Sequence, residues 1–203
     1  IINKHGCLYM QLKSIRTLRE MTPVLADPNI SKDKNKDDVV YWVFSDISKT
    51  WENLTLISPG DYNGEFPKTF GHYHSSPVTE KYKLISGEGI LLMQKRKFID
   101  DDWVSDRLEK IYFVEFLPGE EIEITQEWGH SWINIGNEPL ITMDDWKEGH
   151  SPDDYKPIEE QGGMGYFFIK KDNRAQFLPN PKYKDLPKPE WITVKEFTEV
   201  ENF

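Results

Sequence analysis

The chain has 203 residues, of which 37% are apolar and 13% aromatic, and it carries a formal net charge of −10; this length suits one domain with a sizeable core, and the aromatic content argues against disorder. Excess negative charge disfavours nucleic-acid backbones. No run approaches the roughly 20 apolar residues that span a bilayer, no signal-peptide pattern opens the chain, and a single cysteine, Cys7, leaves no intrachain disulfide, so the expectation is a soluble cytoplasmic protein with no membrane or nucleic-acid partner.

In chain order, Cys7 is expected to be a small, partly buried apolar residue. Helical spacing predicts a short helix over Ser14–Met21, and the charged stretch Asn29–Asp38 a mobile loop. From residue 39 onward, short segments rich in β-branched and aromatic residues alternate with Gly, Pro, Asn and Asp turns. They predict strands at Val39–Phe44, Asn53–Ile57, Thr69–His74, Tyr82–Ser86, Ile90–Lys97, Lys110–Phe116, Glu121–Thr125, Ser131–Ile135, Leu140–Met143 and Tyr166–Lys170. Strands at such intervals, without helical crossovers, imply an antiparallel sandwich or small barrel. The Pro-rich stretch Pro179–Pro189 is expected to wrap the surface. Thr193 and Glu196 have capping-box spacing and start a predicted helix over Thr193–Val200. The division is an N-terminal extension over 1–38, a β-sandwich core over 39–170 and a C-terminal wrap and helix over 171–203.

The chemistry centres on His72 and His74. In a strand, residues i and i+2 share a face, so Gly71-His72-Tyr73-His74 sets two imidazoles side by side and turns Tyr73 into the packing. Glu80 follows a Pro77-containing turn, from which a hairpin brings its carboxylate back toward the imidazoles. His130 comes fifty residues after Glu80, before another strand. Three imidazoles and a carboxylate suit Fe²⁺, Mn²⁺, Zn²⁺ or Ni²⁺ with positions left open. By the same alternation Lys68 is expected to face solvent. Trp128 and Trp132 are expected to pack around the site or at an interface, and the acidic runs 100–102 and 120–121 to be solvated turns.

These residues resemble the two cupin motifs. His72-x-His74, Glu80 and Gly87 fit the first, and Gly119, His130 and Asn134 the second, with Thr125 and Glu127 in place of its usual Pro and Gly. Lys68-Thr69-Phe70-Gly71-His72-Tyr73-His74, Glu80-Lys81-Tyr82 and Trp128-Gly129-His130-Ser131-Trp132 resemble the archaeal-type, cupin phosphoglucose isomerases more narrowly. The likeness covers roughly residues 40–170.

The resemblance implies an all-β cupin (jelly-roll) sandwich and a metal-dependent aldose–ketose isomerase acting on glucose 6-phosphate and fructose 6-phosphate. It implies His72, His74, Glu80 and His130 as metal ligands, with Fe²⁺ the first choice. It implies substrate contacts from Thr55, Thr69, Gly71 and Tyr41, catalytic roles for Glu80, Tyr82, His150 and Tyr155, Trp146 in place of a family tyrosine, and a homodimer. A carboxylate in reach of C2 makes Glu80 the candidate base, with a direct hydride shift as the rival. Another cupin enzyme on a different sugar, and a non-catalytic sugar-binding cupin, are the alternative readings.

Overall fold

Alternation of buried and exposed side chains builds the sheets. The computed structural model describes residues 10–29, 35–172 and 174–201; Cys7, and the central part of the expected loop at 30–34, lie outside the described residues. Strands β1 (Gln11–Thr17), β2 (Val39–Ser45), β3 (Asn53–Ile57), β4 (Thr79–Ser86), β7 (Glu121–Thr125) and β9 (Leu140–Asp144) form one six-stranded sheet in the order β1-β2-β3-β9-β4-β7. Strands β5 (Gly89–Ile99), β6 (Asp102–Glu115), β8 (Trp128–Asn134) and β12 (Glu190–Thr193) form a second, in the order β12-β6-β5-β8. β10 (Tyr166–Lys171) and β11 (Arg174–Pro179) make a separate hairpin. Every pairing is antiparallel except β12 on β6. This is the all-β cupin sandwich that the sequence led us to expect.

In β3 and β9 every second residue is buried: Asn53, Thr55 and Ile57 on one, Leu140, Thr142 and Asp144 on the other. Those positions, with Glu80, Tyr82 and Leu84 of β4, point toward the second sheet. The core between the sheets includes Leu91, Phe113, Ile124 and Trp132, each no more than 1% exposed. At about 25 cal/mol per Å², burial of such side chains is the main favourable contribution to folding. Helices cap the sandwich: α1 (Leu18–Met21), α2 (Pro152–Glu160) and α3 (Val194–Glu201). No helix among the described residues is long and apolar enough to cross a membrane.

Three expectations are corrected. Ser14–Met21 is not one helix: Ser14–Thr17 belongs to β1, paired with Val43–Val39 of β2, and only Leu18–Met21 turns helical. Cross-strand pairing outweighs local helix propensity there. Thr69–His74 is not a continuous strand. It runs beside β8 through single bridges, Lys68 to Ile133 and His72 to His130. Gly71, at φ +83°, breaks the ladder between them, a conformation that only glycine adopts readily. Lys68 does not face solvent: it is 5% exposed, paired with Glu65 and set 4.7 Å from the centre of the Phe167 ring. The outer side of its segment is covered by the β10–β11 hairpin, where Glu65 bridges to Ile169.

Candidate metal centre

β4 delivers Glu80, the loop before it delivers His72 and His74, and β8 delivers His130. Mutual backbone bonds hold two of these segments together: His72 N–H donates to the His130 carbonyl at 3.2 Å, and His130 N–H to that of His72 at 3.0 Å. Glu80 Oε2 lies 2.9 Å from His74 Nε2, 3.3 Å from His130 Nε2 and 3.7 Å from His72 Nε2. One ligand atom from each of the four residues falls within 4.8 Å of the others, and all four side chains are buried.

The donor set fits a cation. His72 Nε2, His130 Nε2 and Glu80 Oε1 are buried with no hydrogen-bond partner, a costly condition that a bound ion relieves. Burial and the nearby His130 and His150 push the His72 imidazole well below its ordinary value, so it is neutral and able to ligate. Burial alone would raise the Glu80 carboxyl, but the close imidazoles of His130, His72 and His74 together outweigh it and hold the group well below the usual carboxylate range. Behind the cluster, Arg96 lies 4.9 Å from the centre of the Tyr73 ring and donates to the His74 carbonyl at 2.7 Å. Tyr73 packs away from the ligands, as expected, hydrogen-bonded to Gln94 and 2% exposed.

A cavity of about 280 Å³ adjoins the cluster through His72. The expected substrate residues Tyr41, Thr55, Thr69 and Gly71 all line it. The Thr69 hydroxyl accepts the Trp132 N–H at 3.0 Å and lies 3.3 Å from the Ser131 hydroxyl, which donates to the Thr69 carbonyl. Tyr82, His150 and Tyr155 line it too. The His150 ring centre is 3.8 Å from that of His72, and the Tyr155 ring is 5.7 Å from each. Burial brings His150 down to about 4. Burial, then the charges of Glu80 and Asp144, raises the Tyr82 phenol far above its usual value. Trp146 stands 5.0 Å from the His74 ring and nearly parallel to His150.

α2 holds His150 and Tyr155 in position. Asp154 Oδ2 accepts the Ser151 N–H at 2.8 Å at the start of the helix, and its Oδ1 accepts the Ser75 N–H at 2.7 Å, next to His74. The sequence reading missed this helix, although Ser151-Pro152-Asp153-Asp154 carries a start signal: Pro at the first helical position and acids in the first turn.

Sequence reasoning also missed five polar residues on the cavity wall: Lys13, Ser14, Arg16, Asn53 and Asp144. The Arg16 guanidinium lies 5.6 Å from the Phe70 ring and 5.5 Å from the Tyr155 ring, with Tyr41 alongside. Arg19 and Arg107 pair with Asp37 and Asp185, whereas among the described residues no carboxylate contacts Arg16.

A sequence model of the glucose-6-phosphate isomerase family matches residues 15–184, most of the chain. The chain belongs to the glucose-6-phosphate isomerase family. Glucose-6-phosphate isomerase of Pyrococcus furiosus is 29% identical over 182 residues, covering 85% of this chain and 88% of the relative. The enzymes of Thermococcus kodakarensis and Thermococcus litoralis are each 28% identical, covering 85% and 88% of this chain and 88% and 92% of theirs. Among solved structures, the Drosophila melanogaster CENP-C cupin domain covers 51% of this chain and 65% of its own at 15% identity and TM-score 0.35, a likeness too partial to bear on function. As a glucose-6-phosphate isomerase family member the chain is an enzyme, and the matched region contains His72, His74, Glu80 and His130 and the cavity wall apart from Lys13 and Ser14.

Proposed function

We propose that this enzyme interconverts glucose 6-phosphate and fructose 6-phosphate with a divalent cation, Fe²⁺ by first choice, held by His72, His74, Glu80 and His130. One observation supports it above the others: a single cavity runs from that donor cluster to a guanidinium that, among the described residues, has no carboxylate partner. The reactive carbons of a sugar phosphate belong at one end and its anion at the other.

When bound, the cation supplies positive charge that polarises the sugar carbonyl. The remaining work falls to side chains. Glu80 stays ionised among its imidazoles, and its Oε1, which no hydrogen bond occupies, holds the proton that migrates between C2 and C1. His150, neutral above about pH 4, exchanges the hydroxyl protons of O1 and O2 through its unpartnered Nδ1. Tyr82 and Tyr155 remain phenols, because burial opposes their ionisation, and donate hydrogen bonds to sugar oxygens. Thr55, Thr69, Tyr41 and the Gly71 backbone hold the phosphate, with Arg16 as the cation among them. The proposed active form is a cytoplasmic homodimer; Leu12 and Ile15, exposed on edge strand β1, and Met10 just before it support the pairing.

The test is a coupled assay of fructose 6-phosphate conversion. Turnover lost on chelation and restored by Fe²⁺ or Mn²⁺ is expected. Turnover indifferent to chelation removes the metal from the proposal, and no turnover by the metal-loaded protein removes the isomerase. Conversion in D₂O separates the routes: a proton carried by Glu80 exchanges with solvent and leaves deuterium in the sugar, whereas a hydride shift leaves none.

A further inference from the structure

Asp144 is a buried carboxyl that the proposed chemistry does not employ and that the fold uses through one oxygen alone. It is 5% exposed, and among the described residues no cation contacts it. Its Oδ1 is fully engaged, accepting from Asn53 Nδ2 at 2.6 Å and from the Trp146 N–H at 3.1 Å. Asn53 is committed as well: Nδ2 also donates to the Trp146 carbonyl at 2.8 Å, and Oδ1 accepts from Lys13 Nζ at 2.9 Å. The lysine thus braces the asparagine, and the asparagine braces the carboxyl. Within the described contacts, Oδ2 is the one oxygen of this group without a hydrogen bond. A carboxyl so buried, near another acid, costs stability. Such a cost fits a group kept for a ligand.

Strand register says which part of a ligand it would meet. Asp144 of β9 lies opposite Asn53 of β3 and Tyr82 of β4. One inward position along β4 from Tyr82 stands Glu80, the metal-centre carboxylate. One inward position the other way, along β3, stands Thr55, and the next row holds Tyr41 beside Arg16. The order along the sheet is therefore donor cluster, Asp144, hydroxyl donor, guanidinium. A sugar phosphate with its carbonyl at the first and its phosphate at the last lays its middle carbons across Asp144.

We infer that Asp144 is a specificity-determining residue, bonding a hydroxyl on the middle carbons of the sugar chain through Oδ2. The inference rests on the isomerase reading above. A hydroxyl can donate to the ionised carboxylate or accept from the protonated acid, so a polyol suits it in either state.

Calorimetric binding of sorbitol 6-phosphate, a polyol phosphate with no carbonyl to isomerise, tests it against inorganic phosphate. Asp144→Ala is expected to weaken sorbitol 6-phosphate by roughly three- to tenfold, the effect of losing one hydrogen bond to the carboxyl. Inorganic phosphate, which spans only the far end, is expected to stay within about twofold. Asp144→Leu keeps the branched shape of the side chain and is expected to give the same split, which guards against a collapsed pocket in the alanine variant. Unchanged sorbitol 6-phosphate affinity in both variants overturns the inference, as does an equal loss for both ligands. Failure of the wild-type protein to bind sorbitol 6-phosphate or convert fructose 6-phosphate overturns the isomerase reading itself.

Discussion

Arg16 carries a permanent positive charge at a half-buried position in a protein with ten excess negative charges. Its neighbours are phenols and a phenyl ring, which accommodate a guanidinium face without neutralising it. An anion that enters the cavity therefore gains a charge-assisted contact with a guanidinium that no carboxylate touches among the described residues, Glu20 acting on it only from a distance. Arg16→Gln is expected to raise KM for fructose 6-phosphate by roughly 10- to 100-fold, the range of about 1.5–3 kcal/mol for a hydrogen bond to a charged group, while kcat moves little. The lost contact is made equally by substrate and transition state. Steady-state kinetics on variant and parent decide it, with metal content measured alongside. A fall in kcat at unchanged KM, or a loss of metal, would place Arg16 with the donor cluster instead.

Among the elements, α2 does the most for the site with the fewest contacts to the sheets. Asp154 fastens its first turn and, through the Ser75 N–H, fastens it to the segment that carries His74; the Tyr73 N–H donates to the Asp154 carbonyl at 3.0 Å as well. Asp154→Ala is expected to strand two backbone donors at a cost of about 2–3 kcal/mol and to lower Tm by roughly 4–10 °C. His150 and Tyr155 lose their footing, so kcat/KM is expected to drop by about tenfold or more, since small misplacements in an active site are costly. Hydrogen exchange checks the locality: faster exchange over 149–160 with β4 and β8 unaffected is the expected pattern. The same element shows how far the sequence could be read. β3, β7 and β9 were legible almost to the residue: in β7 buried Ile122 and Ile124 alternate with exposed polar residues, and β3 and β9 are short apolar and β-branched runs between turn residues. The clustering of His72, His74, Glu80 and His130 was legible because His-x-His, Glu and His sit at motif spacing, whatever the backbone does between them. β1 and β11 were not: β11 is exposed at all six positions and pairs only with β10, so no alternation marks it. Reading β1 as helix also hid Arg16, whose side chain reaches the cavity only because Ser14–Thr17 is extended. Lys68 was misplaced because alternation gives a face but not what covers that face.

For the whole molecule, the site's two buried acids pull the stability of the metal-free protein in opposite directions. Glu80 is held well below its ordinary value, so its contribution is present above about pH 4.5 and is lost as pH falls further. Asp144 is the reverse. Burial, then the charge of Glu80, raises it from 3.8 to about 8. Between those values the folded protein keeps a proton that the unfolded chain has released. The stability tied to that proton therefore declines as pH rises from about 4 and is gone above about 8. Self-repulsion from the net charge of −10 grows over the same range and acts on any variant of this chain. Comparing the wild type with Asp144→Asn isolates the carboxyl, because the amide oxygen can still accept from Asn53 and the Trp146 N–H. In the presence of chelator, the wild-type Tm is expected to fall more steeply than that of the variant between pH 4 and 8. Above pH 8 the variant should melt higher by roughly 2–8 °C, corresponding to about 1–2 kcal/mol in a chain of this size. Parallel Tm curves would show that Asp144 ionises in the folded protein as readily as in the unfolded chain. A variant that melts lower at every pH would show that its charge supports the fold.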